Sequence, residues 1–272
     1  MASAFSDKTV LVTGASRGIG LATAQRFAEL GARVGLVASG AERLAEAAAT
    51  FSASVCAVAA DLTDPAECAR AVAEVTAALG PVDVLVSCAG VLHRDFVEDI
   101  SVEDFERSYR LHAGAGLWLT QAVLPGMRER GYGRIVLVSS ELGLIGGPSY
   151  TSYCTSKWAL VGLAEVLHHE LADSEVRACV VCPGDVSTDQ LEQELRWGPT
   201  GGATFDKAMG AGAVARAIVR AADGRRTVVV IDRPHLRLAF NLLAGPRRLR
   251  LAVVHSAYKP LLRARSEGPG GH

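Results

Sequence analysis

The sequence predicts an α/β fold: a single doubly wound parallel sheet of about seven strands flanked by helices, with a C-terminal helical extension. Three observations predict it. Short apolar runs recur along the 272-residue chain, stretches of helical length separate them, and the runs are continuously apolar rather than alternating. Strands buried on both faces carry such runs, and parallel strands need crossover connections, which are right-handed.

The elements follow in order. TVLVT from Thr9 runs into a glycine-rich turn and a helix in which Ile19, Ala22, Phe27 and Leu30 repeat with helical period, and Gly31 supplies the stop. RVGLVA from Arg33 precedes a second helix marked by Leu44, Ala48 and Phe51. After VCAVAA from Val55, Asp64-Pro65 opens a third helix with an N-cap and a first-turn proline, and Gly80-Pro81 closes it. VDVLVS from Val82 precedes a longer helical stretch capped by Ser101, with Asp104 three residues on in a variant of the capping box. RIVLVS from Arg134, RACVVC from Arg177 and TVVVI from Thr227 complete seven strands.

Composition excludes several classes. With 49% hydrophobic and 21% charged residues the chain is an ordinary globular one, long enough to bury a core without staples. Its 28 Lys and Arg against 29 Asp and Glu exclude a globally basic nucleic-acid binder. Six cysteines lie in or beside apolar stretches and read as reduced packing residues. Cys179 and Cys182 form a CxxC, but within a strand their side chains point to opposite faces, which argues against redox or zinc chemistry. No metal site is expected. The N-terminus carries no basic-then-apolar address and no run is long enough to span a bilayer, so a cytoplasmic enzyme is expected.

The first strand hands over to Thr13-Gly14-Ala15-Ser16-Arg17-Gly18-Ile19-Gly20 and then to a helix. Glycines there let the backbone approach a pyrophosphate, whose charge is met by free N–H groups and the positive end of the helix. The spacing is G-x-x-x-G-x-G, not G-x-G-x-x-G, and its place between strand and helix points to a dinucleotide. Further on, Tyr153 and Lys157 stand four apart, on one helical face, with Ser140 thirteen residues before the tyrosine.

In combination these residues identify the chain as resembling the short-chain dehydrogenase/reductase family, from Thr9 to Thr188. The resemblance implies a Rossmann-like catalytic domain, here 1–232, and a nicotinamide cofactor. It places the cofactor on Gly14, Ser16, Arg17, Gly18, Ile19 and Gly20. Asp61 and Leu62 would meet the adenine ring, and Ala89 and Gly90 keep the second half of a motif whose leading asparagine is here Ser87. Pro183, Gly184, Val186 and Thr188 would cover the nicotinamide. Tyr153 would exchange the proton with the substrate oxygen, Ser140 would polarise the carbonyl, and Lys157 would hold the nicotinamide ribose and, with the oxidised ring, favour phenolate. The family's fourth catalytic residue is an asparagine, and the matching position holds His112. An imidazole has a donor and an acceptor and titrates near neutrality, so His112 either relays protons to Lys157 or fills space.

No acid ends the second strand, where Ala38-Ser39-Gly40 stands, so the Ser39 hydroxyl and the Arg17 guanidinium favour NADP(H) over NAD(H). The resemblance implies reduction of a ketone, or oxidation of the secondary alcohol, on a small-molecule substrate, in a homodimer or homotetramer. A bound-cofactor epimerase or dehydratase and a non-catalytic scaffold are the rival readings. The segment Pro183 to Glu192 also resembles reductases of 3-keto sphingoid bases; a polyketide, sugar or steroid fits as well. His93 and Arg94, which follow Ala89-Gly90, are expected to be exposed loop charges, with approach to the substrate mouth as the alternative, and His168 and His169 surface or contact residues. Gly198 to Gly202 lie in the family's substrate lid. Residues 233–266 hold eight basic residues and no acid, with Leu236, Phe240 and Leu243 on one helical face. This extension either packs on the domain or a partner subunit, or makes peripheral contact with an anionic membrane. Residues 267–272 are expected to be disordered.

Overall fold

The computed structural model describes residues 3–53, 55–196 and 208–231. The C-terminal extension, the terminal tail and the Gly198 to Gly202 part of the lid lie outside them.

Seven strands form one parallel sheet: β1 (Thr9–Thr13), β2 (Arg33–Ala38), β3 (Cys56–Ala59), β4 (Val84–Ser87), β5 (Gly133–Val138), β6 (Val176–Pro183) and β9 (Val228–Ile231). Their order is β3-β2-β1-β4-β5-β6-β9, so the chain winds outward from β1 in one direction and from β4 in the other. The reversal between β1 and β4 opens a crevice at the carboxyl ends of the strands, the usual ligand position in such sheets. Two short strands the sequence did not announce, β7 (Val186–Ser187) and β8 (Met209–Gly210), pair in parallel beside it.

Alternation within β1 explains its uniform apolarity. Val10 and Val12 face one layer with Phe27 of α1 (Gly18–Glu29), Leu44 of α2 (Ala41–Ala48) and Ile218 of α8 (Ala211–Asp223). Leu11 faces the other, with Val75 of α3 (Pro65–Leu79), Leu119 of α5 (Ala115–Glu129) and Leu160 of α6 (Thr151–Glu170). Cys182 belongs to this second layer and Cys179 to the first, so the CxxC does straddle the sheet, and all six cysteines are free.

The caps read from the sequence are formed. Asp64 accepts the Ala66 N–H at 2.8 Å ahead of Pro65, and Ser101 accepts the Asp104 N–H at 3.0 Å while its hydroxyl donates to the Asp104 carboxylate at 2.8 Å. Between α4 (Val102–Tyr109) and α5 the helix passes through one π-helical turn, Arg110–Gly114, which carries His112. Residues 189 to 196 form α7 (Asp189–Arg196), beside the crevice.

Candidate active site

The glycine turn is shaped by what a side chain would strike. Gly14 has φ +65°, and a Cβ there would come within 2.9 Å of Ala89 Cα; a Cβ on Gly20 would lie 2.2 Å from the Gly14 carbonyl oxygen. Only glycine at both positions lets β1 pass into α1 this tightly. Thr13 fastens the turn to the end of β4, its hydroxyl accepting the N–H groups of Cys88 at 2.9 Å and Ala89 at 3.0 Å. α1 begins with no capping side chain and no acid in its first turn, so its positive end is left for an anion.

A cavity of about 960 Å³ joins this turn to α6. Ser140, Tyr153, Lys157 and every residue to which the sequence assigned the cofactor line it, from Gly14 through Ser39, Asp61 and Leu62 to Gly184 and Thr188. His112 is the one named site residue that does not. Asp61 also braces its own turn, accepting from the Thr63 N–H at 3.0 Å and hydroxyl at 2.9 Å, which holds its carboxyl below the usual range. Thr188 crosses over Gly18, its methyl 3.3 Å from where a Cβ would sit. A glycine cradle, an open helix end and a long groove fit an extended dinucleotide.

Tyr153 and Lys157 are 7% and 4% exposed, one turn apart on α6, with Nζ 5.6 Å from the phenol ring centroid. The end of β5 grips them: Lys157 Nζ donates to the Val138 carbonyl at 3.0 Å, and the Ser139 hydroxyl donates to the Lys157 carbonyl at 2.8 Å. Ser140, in extended backbone, accepts the Leu142 N–H at 3.2 Å and faces the phenol. Burial pushes the Tyr153 phenol well above its ordinary pKa, and the Ser140 and Gln190 side chains pull the other way. Burial also lowers Lys157, to about 8. In the protein alone, then, desolvation is the largest influence on Tyr153.

His112 is 1% exposed. Its Nε2 accepts the Val91 N–H at 3.0 Å, so the ring proton sits on Nδ1, which donates to Ser156 Oγ at 2.8 Å; that hydroxyl donates onward to the Ser152 carbonyl at 2.6 Å. Both nitrogens are committed. Burial first, and Lys157 second, hold its pKa well below the ordinary histidine value, so the anticipated titration near neutrality is replaced by a neutral ring.

One cluster escaped sequence reading. Arg94 is buried at 6%, not an exposed loop charge, and its guanidinium donates to Ser149 Oγ at 3.0 Å while lying 4.9 Å from the Tyr150 ring centroid. The Tyr150 hydroxyl donates to the Glu194 carboxylate of α7. Ser149 takes φ +66° to deliver Tyr150. No periodicity links residues 94, 150 and 194, and only the tertiary fold joins them. His168 and His169 are exposed, as expected, and His168 Nδ1 lies 3.0 Å from the Thr227 hydroxyl. Among the described residues no group of three or more His, Cys, Asp or Glu is placed to hold a metal, and no helix is long and apolar enough to cross a membrane.

The short chain dehydrogenase family profile matches residues 8–198. D-beta-hydroxybutyrate dehydrogenase of Rhizobium meliloti is 33% identical over 193 residues, 69% of this chain and 75% of that protein. The 3-ketodihydrosphingosine reductase of Bos taurus is 34% identical over 198 residues, 70% of this chain and 60% of that one. A solved short chain dehydrogenase/reductase from Burkholderia phymatum, in complex with NAD, superposes with a TM-score of 0.80 at 26% identity, covering 90% of this chain and 95% of its own.

Proposed function

This chain belongs to the short-chain dehydrogenase family of oxidoreductases, and on that premise we propose that it is an NADP(H)-dependent ketoreductase, acting on a small-molecule ketone or the corresponding secondary alcohol. The observation that carries the reading is the convergence of Ser140, Tyr153 and Lys157 on the cavity that begins at the glycine turn. When bound, the nicotinamide supplies or accepts the hydride.

The chain's own residues do the rest. Ser140 donates a hydrogen bond to the substrate carbonyl oxygen and orients it. Tyr153, kept protonated by burial, is ready to give its proton to the developing alkoxide. Lys157 holds the ribose and stabilises the phenolate left behind. His112 enters this reading through position: it ties Val91, just past Gly90, to Ser156 of α6, and so keeps the Ala89-Gly90 wall against the catalytic helix.

Preference for the 2'-phosphate is supported by the absence of an acid after β2, where Ser39 is exposed at the cavity edge. Arg17 is half-exposed and pairs with Asp189 at 3.3 Å. An exposed pair of this kind contributes little, so a phosphate competes well for the guanidinium. Large apolar side chains left exposed on α5 and α6, Leu117, Trp158 and Val166, support a homo-oligomer.

A carbonyl library followed by NADPH absorbance tests the function. Net NADPH consumption with formation of an alcohol supports it, and turnover of substrate with no net cofactor change would point to an epimerase or dehydratase instead.

A further inference from the structure

We propose that Glu194 is a specificity-determining residue, whose carboxylate accepts a hydrogen bond from a donor group close to the reacting carbonyl, so that the enzyme prefers amino ketones and turns away keto acids. The proposal rests on the ketoreductase reading above and adds a substrate class to it.

Glu194 is built into the site rather than left in solvent. It is half-buried on α7, lines the cavity, and is clamped from behind: the Tyr150 hydroxyl donates to one carboxylate oxygen, and Tyr150 itself is only 1% exposed. Arg94 makes no hydrogen bond to the carboxylate: its guanidinium reaches the main-chain carbonyl of Glu194, at 3.5 Å, and Ser149, and its charge acts on the carboxylate from behind, drawing the Glu194 pKa down. The second carboxylate oxygen meets no donor among the described residues. Its two oxygens therefore have different roles, one anchoring the side chain and one offered to the cavity.

Its place relative to the chemistry is set by the helix. Gln190 stands four residues earlier on α7, on the same face, and its side chain approaches the Tyr153 phenol. One turn separates the two side chains by roughly 5–6 Å. A donor that reaches Glu194 while the substrate oxygen is at Tyr153 thus sits on a carbon a few bonds from the carbonyl.

Acidic side chains line this end of the cavity. Asp185 and Glu141 also line the cavity, and Asp185 is near enough to raise the pKa of Glu194, although burial contributes more. Of the basic residues lining the cavity, Arg17 pairs with Asp189, Arg107 acts on Asp61 and Lys157 stands at the catalytic end, while Arg94 lies behind Glu194 and does not line the cavity. An ammonium gains a charge-assisted hydrogen bond here, a hydroxyl a neutral-donor one, and a carboxylate meets like charge.

The test is a chain-matched set of four ketones, unsubstituted and bearing an amine, a hydroxyl or a carboxylate two carbons from the carbonyl. Values of kcat/KM with NADPH should rank amine above hydroxyl above carboxylate. Glu194→Gln keeps an acceptor for Tyr150 and removes the charge, and should cut the amine-to-unsubstituted ratio of kcat/KM about tenfold or more, a ratio in which any effect of the lost charge on Tyr153 cancels. Tyr150→Phe releases the clamp and keeps the charge, so it should raise KM across the set and preserve the ranking. A keto acid as the best substrate, or a ratio unmoved by Glu194→Gln, would overturn the proposal while leaving ketone reduction intact. Should none of the four be reduced, the carbonyl library still decides the ketoreductase reading, and the Kd order of the matching amino alcohol and hydroxy acid, measured by calorimetry on wild type and Glu194→Gln, decides this one.

Discussion

His112 and Ser156 are joined by a 2.8 Å hydrogen bond that runs from Nδ1–H to the hydroxyl, because the other ring nitrogen already accepts the Val91 N–H at 3.0 Å. The ring is therefore neutral and fixed in one tautomer. His112→Ala leaves the Val91 N–H and the Ser156 hydroxyl without their partner and opens a void, which should cost about 2–4 kcal/mol of stability. His112→Asn restores an acceptor for Val91 and should retain most of the activity. Titration gives a second signature. The unfolded histidine takes up a proton below about pH 6.5 and the buried ring does not, so the unfolded state binds more protons there and wild type loses stability as pH falls, by about 1.4 kcal/mol per pH unit. Urea melts from pH 7 to pH 5 should show that steeper loss in wild type than in His112→Asn. Equal slopes would mean the imidazole is charged after all.

Tyr153→Phe removes the hydroxyl proposed as proton donor and little else, since the ring stays packed at 7% exposure. Its kcat should fall by about two to four orders of magnitude with NADPH affinity nearly unchanged. Measured by single-turnover kinetics and fluorescence titration, a variant that still turns over would remove Tyr153 from the mechanism.

Much of the fold was legible because its signals are local. β1 is apolar throughout since Leu11 faces one helical layer and Val10 and Val12 the other, and Asp64, Ser101 and the glycines mark element ends through their own backbone chemistry. Tyr153 and Lys157 were readable because helical spacing alone puts them together. What the sequence hid depends on neighbours distant along the chain. Arg94 looks like any loop charge until Ser149 and Tyr150 come to cover it, and α7 brings Glu194 from a hundred residues away. The π-helical turn that turns His112 inward has no signature in side-chain periodicity, and the neutrality of the ring follows from burial, which composition does not report.

Cofactor choice is testable at the open edge of the cavity. Wild type should favour NADPH over NADH in kcat/KM, and Arg17→Ala with Ser39→Asp should erase or reverse that preference, because it removes a cation and places a carboxylate where the 2'-phosphate would lie. The single Asp189→Ala variant frees Arg17 from its partner and should strengthen NADPH binding a few-fold, more at low salt than at high. A wild type that prefers NADH would refute this assignment.

Lys157 gives the enzyme its own pH limit. Burial lowers its pKa from the usual lysine value to about 8, so in the unliganded protein the side chain changes from ammonium to amine as pH rises through 8. The ammonium has three donors and spends one on the Val138 carbonyl, at 3.0 Å, leaving the others for ribose hydroxyls. If Lys157 holds the cofactor as proposed, binding draws on those donors and on the positive charge, so NADPH affinity should be full below pH 8 and decline above it. The sign for stability is opposite. Between about pH 8 and 10.5 the unfolded lysine holds its proton and the folded one does not, so the unfolded state binds more protons and the apoprotein gains stability across that window as pH rises. Isothermal titration of NADPH from pH 6.5 to 9.5, run beside urea melts of the apoprotein, should show weakening affinity and, from this residue, increasing stability. Lys157→Met, which approximates the neutral chain, should lose both trends; affinity that stays flat through pH 8 in wild type would show that Lys157 does not hold the cofactor.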